Sequence, residues 1–195
     1  MESDLQIIIT GAIAALVAVT VGIALRKRRL YREEATKAAG ELMAATTELR
    51  DAIQTARTPI VDRSEYPAGW PGPDTAPAQE NADALEYVYG NRLEPVLIAL
   101  ENFEAAAKRG EIIKGGGVRP AADKMVLCAK TLRAAIDWLV TNEASGGQHF
   151  KRDRELGKKA RDIVSAAPED DPNKLNKELR EAETALGKVL NRYLP

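Results

Sequence analysis

Residues 5–25 read LQIIITGAIAALVAVTVGIAL, and residues 26–57 continue as RKRRLYREEATKAAGELMAATTELRDAIQTAR. The first piece is an uncharged apolar run of 21 residues. At about 1.5 Å per helical residue it is roughly 31 Å long, close to the ~30 Å of a bilayer's hydrocarbon core. Eleven of its residues are Leu, Ile or Val. At about −0.3 to −0.6 kcal/mol each, they favour insertion by roughly −3 to −7 kcal/mol. The expectation is one membrane-spanning helix. A cleaved secretory signal is not expected, because Met1-Glu2-Ser3-Asp4 carries side-chain acids and no side-chain base. Arg26, Lys27, Arg28, Arg29 and Arg32 form a basic collar directly after the run. By the positive-inside rule they place the N-terminus outside and the rest of the chain in the cytoplasm, at an inner or plasma membrane. The lipid bilayer is thus the first expected partner.

Within the run, Gly11, Ala15, Ala18 and Gly22 recur at spacings of four, three and four. This places small residues on one helical face, where two backbones can approach closely. A homo-oligomer or a protein partner is the corresponding expectation. Beyond the collar, Leu42, Ala45, Leu49, Ala52 and Ala56 continue a helical stripe. Residues 31–57 therefore read as a stalk helix continuing the first. That stripe suits half of a short coiled coil, a solvated stalk or a helix packed on the later domain.

Thr58 to Ala78 holds Pro59, Pro67, Pro71, Pro73 and Pro77, with Gly69, Trp70 and Gly72 among them. Proline removes backbone donors and disfavours helix at the residue before it, so this stretch is expected to be an extended or irregular linker. Trp70 is expected to pack back onto the following domain. Residues 79–195 are long enough to bury a core. A first helix there is expected over about 79–90, ending near Gly90-Asn91. A second starts between Leu93 and Pro95 and carries Leu93, Val96, Leu97, Leu100, Phe103 and Ala107. A third begins near Pro120 with Met125, Cys128, Leu132, Ala135, Ile136 and Leu139. A fourth covers about 149–166. A fifth begins at Asp171-Pro172 and carries Leu175, Leu179, Ala182, Leu186, Val189 and Tyr193. The predicted fold is all-α: transmembrane anchor 1–30, stalk helix 31–57, Pro-rich linker 58–78, and an antiparallel helical bundle of four to five helices over 79–195.

The formal net charge is −1 with a pI near 6.0, so no global attraction to nucleic acid is expected. The lone cysteine, Cys128, rules out an internal disulfide and lies on an apolar stripe, where a thiol acts as a small hydrophobe. His149 is the only histidine and follows a glycine turn. No Cys-x-x-Cys and no Glu-x-x-His pair is present, so neither a metal nor another cofactor is expected. Lys114-Gly115-Gly116-Gly117-Val118-Arg119 leads into the third helix. Such a loop can cradle an anion, but it lacks the Gly-Lys-Ser/Thr ending of a phosphate loop. Lys151, Arg152, Arg154, Lys158, Lys159 and Arg161 make the fourth helix locally basic, a surface suited to an anionic partner.

The segment from Asn91-Arg92-Leu93-Glu94-Pro95 through Leu100-Glu101-Asn102-Phe103-Glu104 to Arg109-Gly110-Glu111-Ile112-Ile113 resembles a family of uncharacterised bacterial and phage proteins. Members carry one N-terminal span and a helical cytosolic domain. The resemblance covers about residues 91–139 plus the anchor and implies architecture, not an activity. The expectation from these readings is a single-pass, cytosol-facing interaction or scaffold protein and not an enzyme. An accessory subunit of a larger membrane complex is the first alternative. A tethered enzyme or anion sensor using the Gly-rich loop is the second. Nucleic acid and small-molecule ligands are not expected partners.

Overall fold

The computed structural model describes residues 2–113, 117–165 and 173–194, with side chains from residue 19 onward. The protein is all-α. Among the described residues six α-helices run in the order α1 (Glu2–Ala56), α2 (Ala78–Gly110), α3 (Val118–Ala144), α4 (Gln148–Arg152), α5 (Arg154–Val164) and α6 (Lys174–Leu190). No strand occurs among the described residues.

The apolar stripes become one core. Ala35, Ala39, Leu42, Leu49 and Ile53 of α1 are fully buried against Val96, Phe103, Met125, Leu132, Leu175 and Leu186 from the other helices. The C-terminal part of α1 is therefore a wall of the helical domain rather than a solvated stalk. Side-chain links show the helix directions. Arg109 pairs with Glu41 at 2.8 Å and Arg92 reaches the Thr58 carbonyl, so α2 runs antiparallel to α1. Arg50 pairs with Glu183 at 2.7 Å and Arg57 reaches Asn176, so α6 also runs antiparallel to α1.

The membrane reading needs correction. Among the described residues no helix is long and apolar enough to cross a membrane. The described side chains of the apolar run are those of Val19 to Leu25, seven residues or about 10 Å of helix, and five bases follow within the next seven positions. The single-pass membrane placement and the inner-membrane localisation are withdrawn on that finding. Gly11, Ala15 and Ala18 lie outside the described side chains. Gly22 is exposed, and a Cβ there would meet nothing.

Helix boundaries also differ from expectation. Residues 78–110 form one helix through Gly90, Asn91 and Pro95. Proline at 95 removes the N–H that would bond the Asn91 carbonyl. Both residues are exposed, so water can satisfy that carbonyl. In the expected fourth helix, Asp153 leaves helical geometry and its side chain accepts the Leu156 N–H, separating α4 from α5. Asn173 caps α6 by accepting from the Leu175 N–H. The expected start at Asp171 and Pro172 lies outside the described residues.

The proline-rich stretch is a folded strap. Arg92 of α2 binds both oxygens of Glu65, through Nε at 2.6 Å and Nη2 at 2.7 Å. The same guanidinium donates to the carbonyls of Thr58 at 2.6 Å and Ile60 at 2.8 Å. Glu65 in turn accepts the Asp62 N–H, and Asp62 accepts the Ser64 N–H, closing a capping box around a single 3-10 turn at 63–65. Further along, Tyr66 and Trp70 stack with ring centroids 4.1 Å apart. Trp70 Nε1 donates to the buried Asn81 side chain at 3.2 Å, and Asn81 donates to the carbonyls of Pro73 and Ala76. Gly69 and Gly72 take positive φ, which lets the chain reverse here.

Candidate interaction site

The candidate site begins where α1 leaves the core. Ala35 is fully buried, whereas every described residue from Val19 to Glu34 is exposed except the half-buried Tyr31. Val19, Val21, Ile23, Leu25 and Leu30 are each 50–60% exposed. A helix that projects from its domain with such side chains leaves apolar area in water at about 25 cal/mol per Å². Arg26, Lys27, Arg28, Arg29 and Arg32 follow the apolar turns and are likewise exposed. Arg29 pairs with Glu33 one turn on, at 3.0 Å. Arg28 and Arg32 face a depression that they share with Tyr31, Thr36, Arg192 and Tyr193.

The second basic surface is on α4 and α5. Lys151, Arg152, Arg154, Lys158, Lys159 and Arg161 are all exposed. The buried edge of α5 is Gly157, Ala160 and Val164, and Arg161 lies over the Phe150 ring, 5.6 Å from its centroid. The six bases thus share one short segment without inserting apolar side chains of their own, which is the form of a solvated face. None of them forms an ion pair among the described residues.

Among the described residues, Cys128, His149 and Arg119 are not brought together. Cys128 is buried, and burial pushes its thiol up to about 11, away from thiolate reactivity. His149 is exposed at the start of α4. Among the described residues no cluster of three or more His, Cys, Asp or Glu side chains is placed to hold a metal ion. Lys114, Gly115 and Gly116 lie outside the described residues. Gly117 is held close to α6, where a Cβ would come within 2.7 Å of Val189, and Arg119 is paired with Glu111 at 2.9 Å. A side chain at 117 would press on a Val189 methyl, and the arginine of that loop already has a carboxylate.

Sequence reading did not single out Arg192, Arg57 or Asn81, and it placed Tyr193 only on the apolar stripe of the last helix. Their partners lie on other elements, up to 119 residues away for Arg57, and no local pattern marks those contacts. A comparison with protein-family models, with curated proteins and with solved structures gave no match.

Proposed function

We propose that this chain is a helical interaction or scaffold protein whose binding element is the projecting segment of α1. One observation carries the reading: Val19, Val21, Ile23, Leu25 and Leu30 stand in solvent on the helix whose next turns form the wall of the core. Contiguous exposed apolar surface rimmed by polar residues marks interaction sites, and here the exposed Arg26, Lys27 and Arg29 supply a charged rim. The complementary partner is a helical surface with an apolar groove flanked by carboxylates. The groove would cover the apolar turns and the carboxylates would face Arg26, Lys27 and Arg29. Gly22 supports this geometry, because its open side admits close helix approach. The loose likeness to span-plus-helical-domain proteins is consistent with a binding role but adds no partner.

The test is in-cell crosslinking of the full-length tagged chain with mass spectrometry of the captured species. It is run beside a V19D/I23D variant whose core is untouched. A stoichiometric partner crosslinked through residues 19–32 and lost in the variant is the expected result. Crosslinks between copies of the chain through the same residues would make the partner a second copy. Equal capture by both proteins, or capture only through α3 to α6, would overturn the assignment.

A further inference from the structure

The end of the chain returns to the base of the projecting helix. After α6 ends at Leu190, a turn held by the Tyr193 N–H on the Leu190 carbonyl at 2.8 Å carries Arg192 and Tyr193 against α1. There they meet Arg28, Tyr31, Arg32 and Thr36 around an open depression of about 530 Å³. The Tyr31 and Tyr193 phenols are hydrogen-bonded to each other, which joins the two elements.

The chemistry of the lining is one-sided. It has three guanidinium groups and three hydroxyls, and none of its six residues is acidic. The nearest acids in sequence are engaged or turned elsewhere. Glu33 is paired with Arg29, and Glu34 lines a separate depression with Lys37, Glu41 and Arg109. Neither Arg28, Arg32 nor Arg192 forms an ion pair among the described residues. Two of the arginines are one helical turn apart on α1 and the third comes from the far end of the sequence, so the grouping is made by the fold and not by a local charge run. Guanidinium forks match the oxygens of phosphate in pairs, and converging cations favour a doubly charged anion over a carboxylate. The Thr36 hydroxyl can donate to a remaining oxygen, while the hydrogen-bonded Tyr31–Tyr193 pair walls the depression. The volume exceeds that of a bare anion, leaving room for an organic substituent against the tyrosine rings.

We infer that Arg28, Arg32 and Arg192, with Tyr31, Tyr193 and Thr36, form a binding site for a phosphomonoester. The same group is presented by a soluble phosphorylated metabolite and by the headgroup of phosphatidic acid. This site adjoins the proposed partner-binding segment and shares Arg28 with it, but Arg192, beyond α6, belongs to the phosphomonoester site alone, so the R192A variant tests it separately.

The test titrates the full-length protein with inorganic phosphate and with glycerol phosphate by calorimetry. In parallel, the protein is co-sedimented with phosphatidylcholine vesicles with and without phosphatidic acid. R192A and R32A are compared with R29A, which removes another exposed arginine that does not line the depression. We expect R192A and R32A each to weaken binding by about tenfold or more, and R29A by no more than about twofold. Arg192 lies beyond the last helix, so R192A should keep the far-UV spectrum of the parent. Soluble phosphate binding that depends on Arg192 identifies a metabolite site, and Arg192-dependent binding to phosphatidic acid vesicles alone identifies a headgroup site. Absence of binding by every probe, or equal weakening by R29A and R192A, would overturn the inference.

Discussion

Arg57 offers the sharpest test of how the two ends of this fold are joined. It is 1% exposed, directly after α1, and its guanidinium faces three neutral acceptors. Nε donates to the Ile163 carbonyl at 2.6 Å, Nη2 to the Ser165 carbonyl at 2.8 Å, and Nη1 to the Asn176 side-chain oxygen. Burial lowers its pKa from the ordinary arginine value. A hydrogen bond from a charged donor contributes about 1.5–3 kcal/mol, and a buried acceptor left without its donor costs about 1–3 kcal/mol. The three bonds are not additive, and the charge itself is costly to bury, so simple summation overshoots. Arg57→Ala is expected to destabilise by about 3–5 kcal/mol, with the lost packing of the stem included. For a chain of this size that is a fall in Tm of roughly 6–20 °C.

Arg57→Met separates packing from hydrogen bonding, since it keeps most of the apolar stem while removing the fork. It is expected to recover no more than about 1–2 kcal/mol of the alanine loss. Urea unfolding followed by far-UV dichroism measures both variants, and hydrogen exchange at 163–165 and 174–178 locates the effect. The reasoning fails if Met matches Arg, or if Ala costs less than about 1 kcal/mol, the scale of an ordinary surface change.

The remaining predictions concern other joints of the fold. The Arg92 guanidinium holds the Glu65 carboxyl below its ordinary pKa, so the strap gains stability from this pair at neutral pH. That gain is lost as pH falls through the folded-state pKa; hydrogen exchange of residues 58–77 should accelerate on acidification in the parent and show little pH-dependent change in E65Q beyond the intrinsic rate. Gly157→Ala should destabilise by about 1–2 kcal/mol, because the new Cβ would come within 2.7 Å of Phe150 Cγ, part of the ring's stem and not a mobile tip. Gly187→Ala, in the interior of α6 where a Cβ meets nothing, should instead stabilise by about 0.5–1 kcal/mol, and the two can be compared in one thermal melt. With its thiol near 11, only about one Cys128 in a thousand is thiolate at pH 8, so a disulfide-exchange reagent should modify it only as the protein opens; rapid stoichiometric labelling of the native chain would contradict its burial.

Which parts of this architecture were legible follows from where the physical causes lie. The stripes on α3 and α6 were readable because burial repeats with the helical period: Met125, Cys128, Leu132, Ala135 and Ile136 are all buried, as are Leu175, Leu179, Ala182 and Leu186. The same logic misplaced Leu97, which is 45% exposed, because a stripe defined by apolar identity is broader than the face that meets a neighbour. The break expected at Gly90-Asn91 did not occur, because local propensity is a weak force beside the tertiary contacts that Val88, Leu93 and Val96 make on either side of it. Proline content marked 58–78 as an extended or irregular linker; in the structure α2 already begins at Ala78, a 3-10 turn occupies 63–65, and the stretch is ordered. That order comes from Arg92 and Asn81, single polar side chains on the next helix that satisfy carbonyls which proline-rich chain cannot pair for itself. Hydropathy and run length gave residues 5–25 a membrane reading, with the basic collar as its cytosolic end; that the same helix becomes a core wall from Ala35 onward is set by packing against distant helices. The candidate site was half legible for the same reason. Arg28 and Arg32 stand out in any charge pattern, whereas Arg192 acquires meaning only when α6 runs antiparallel to α1 and delivers it beside them. A function that depends on that crossing is encoded in the packing of two helices, so a mutation that shifts α6 along α1 should disable the site without touching one of its residues.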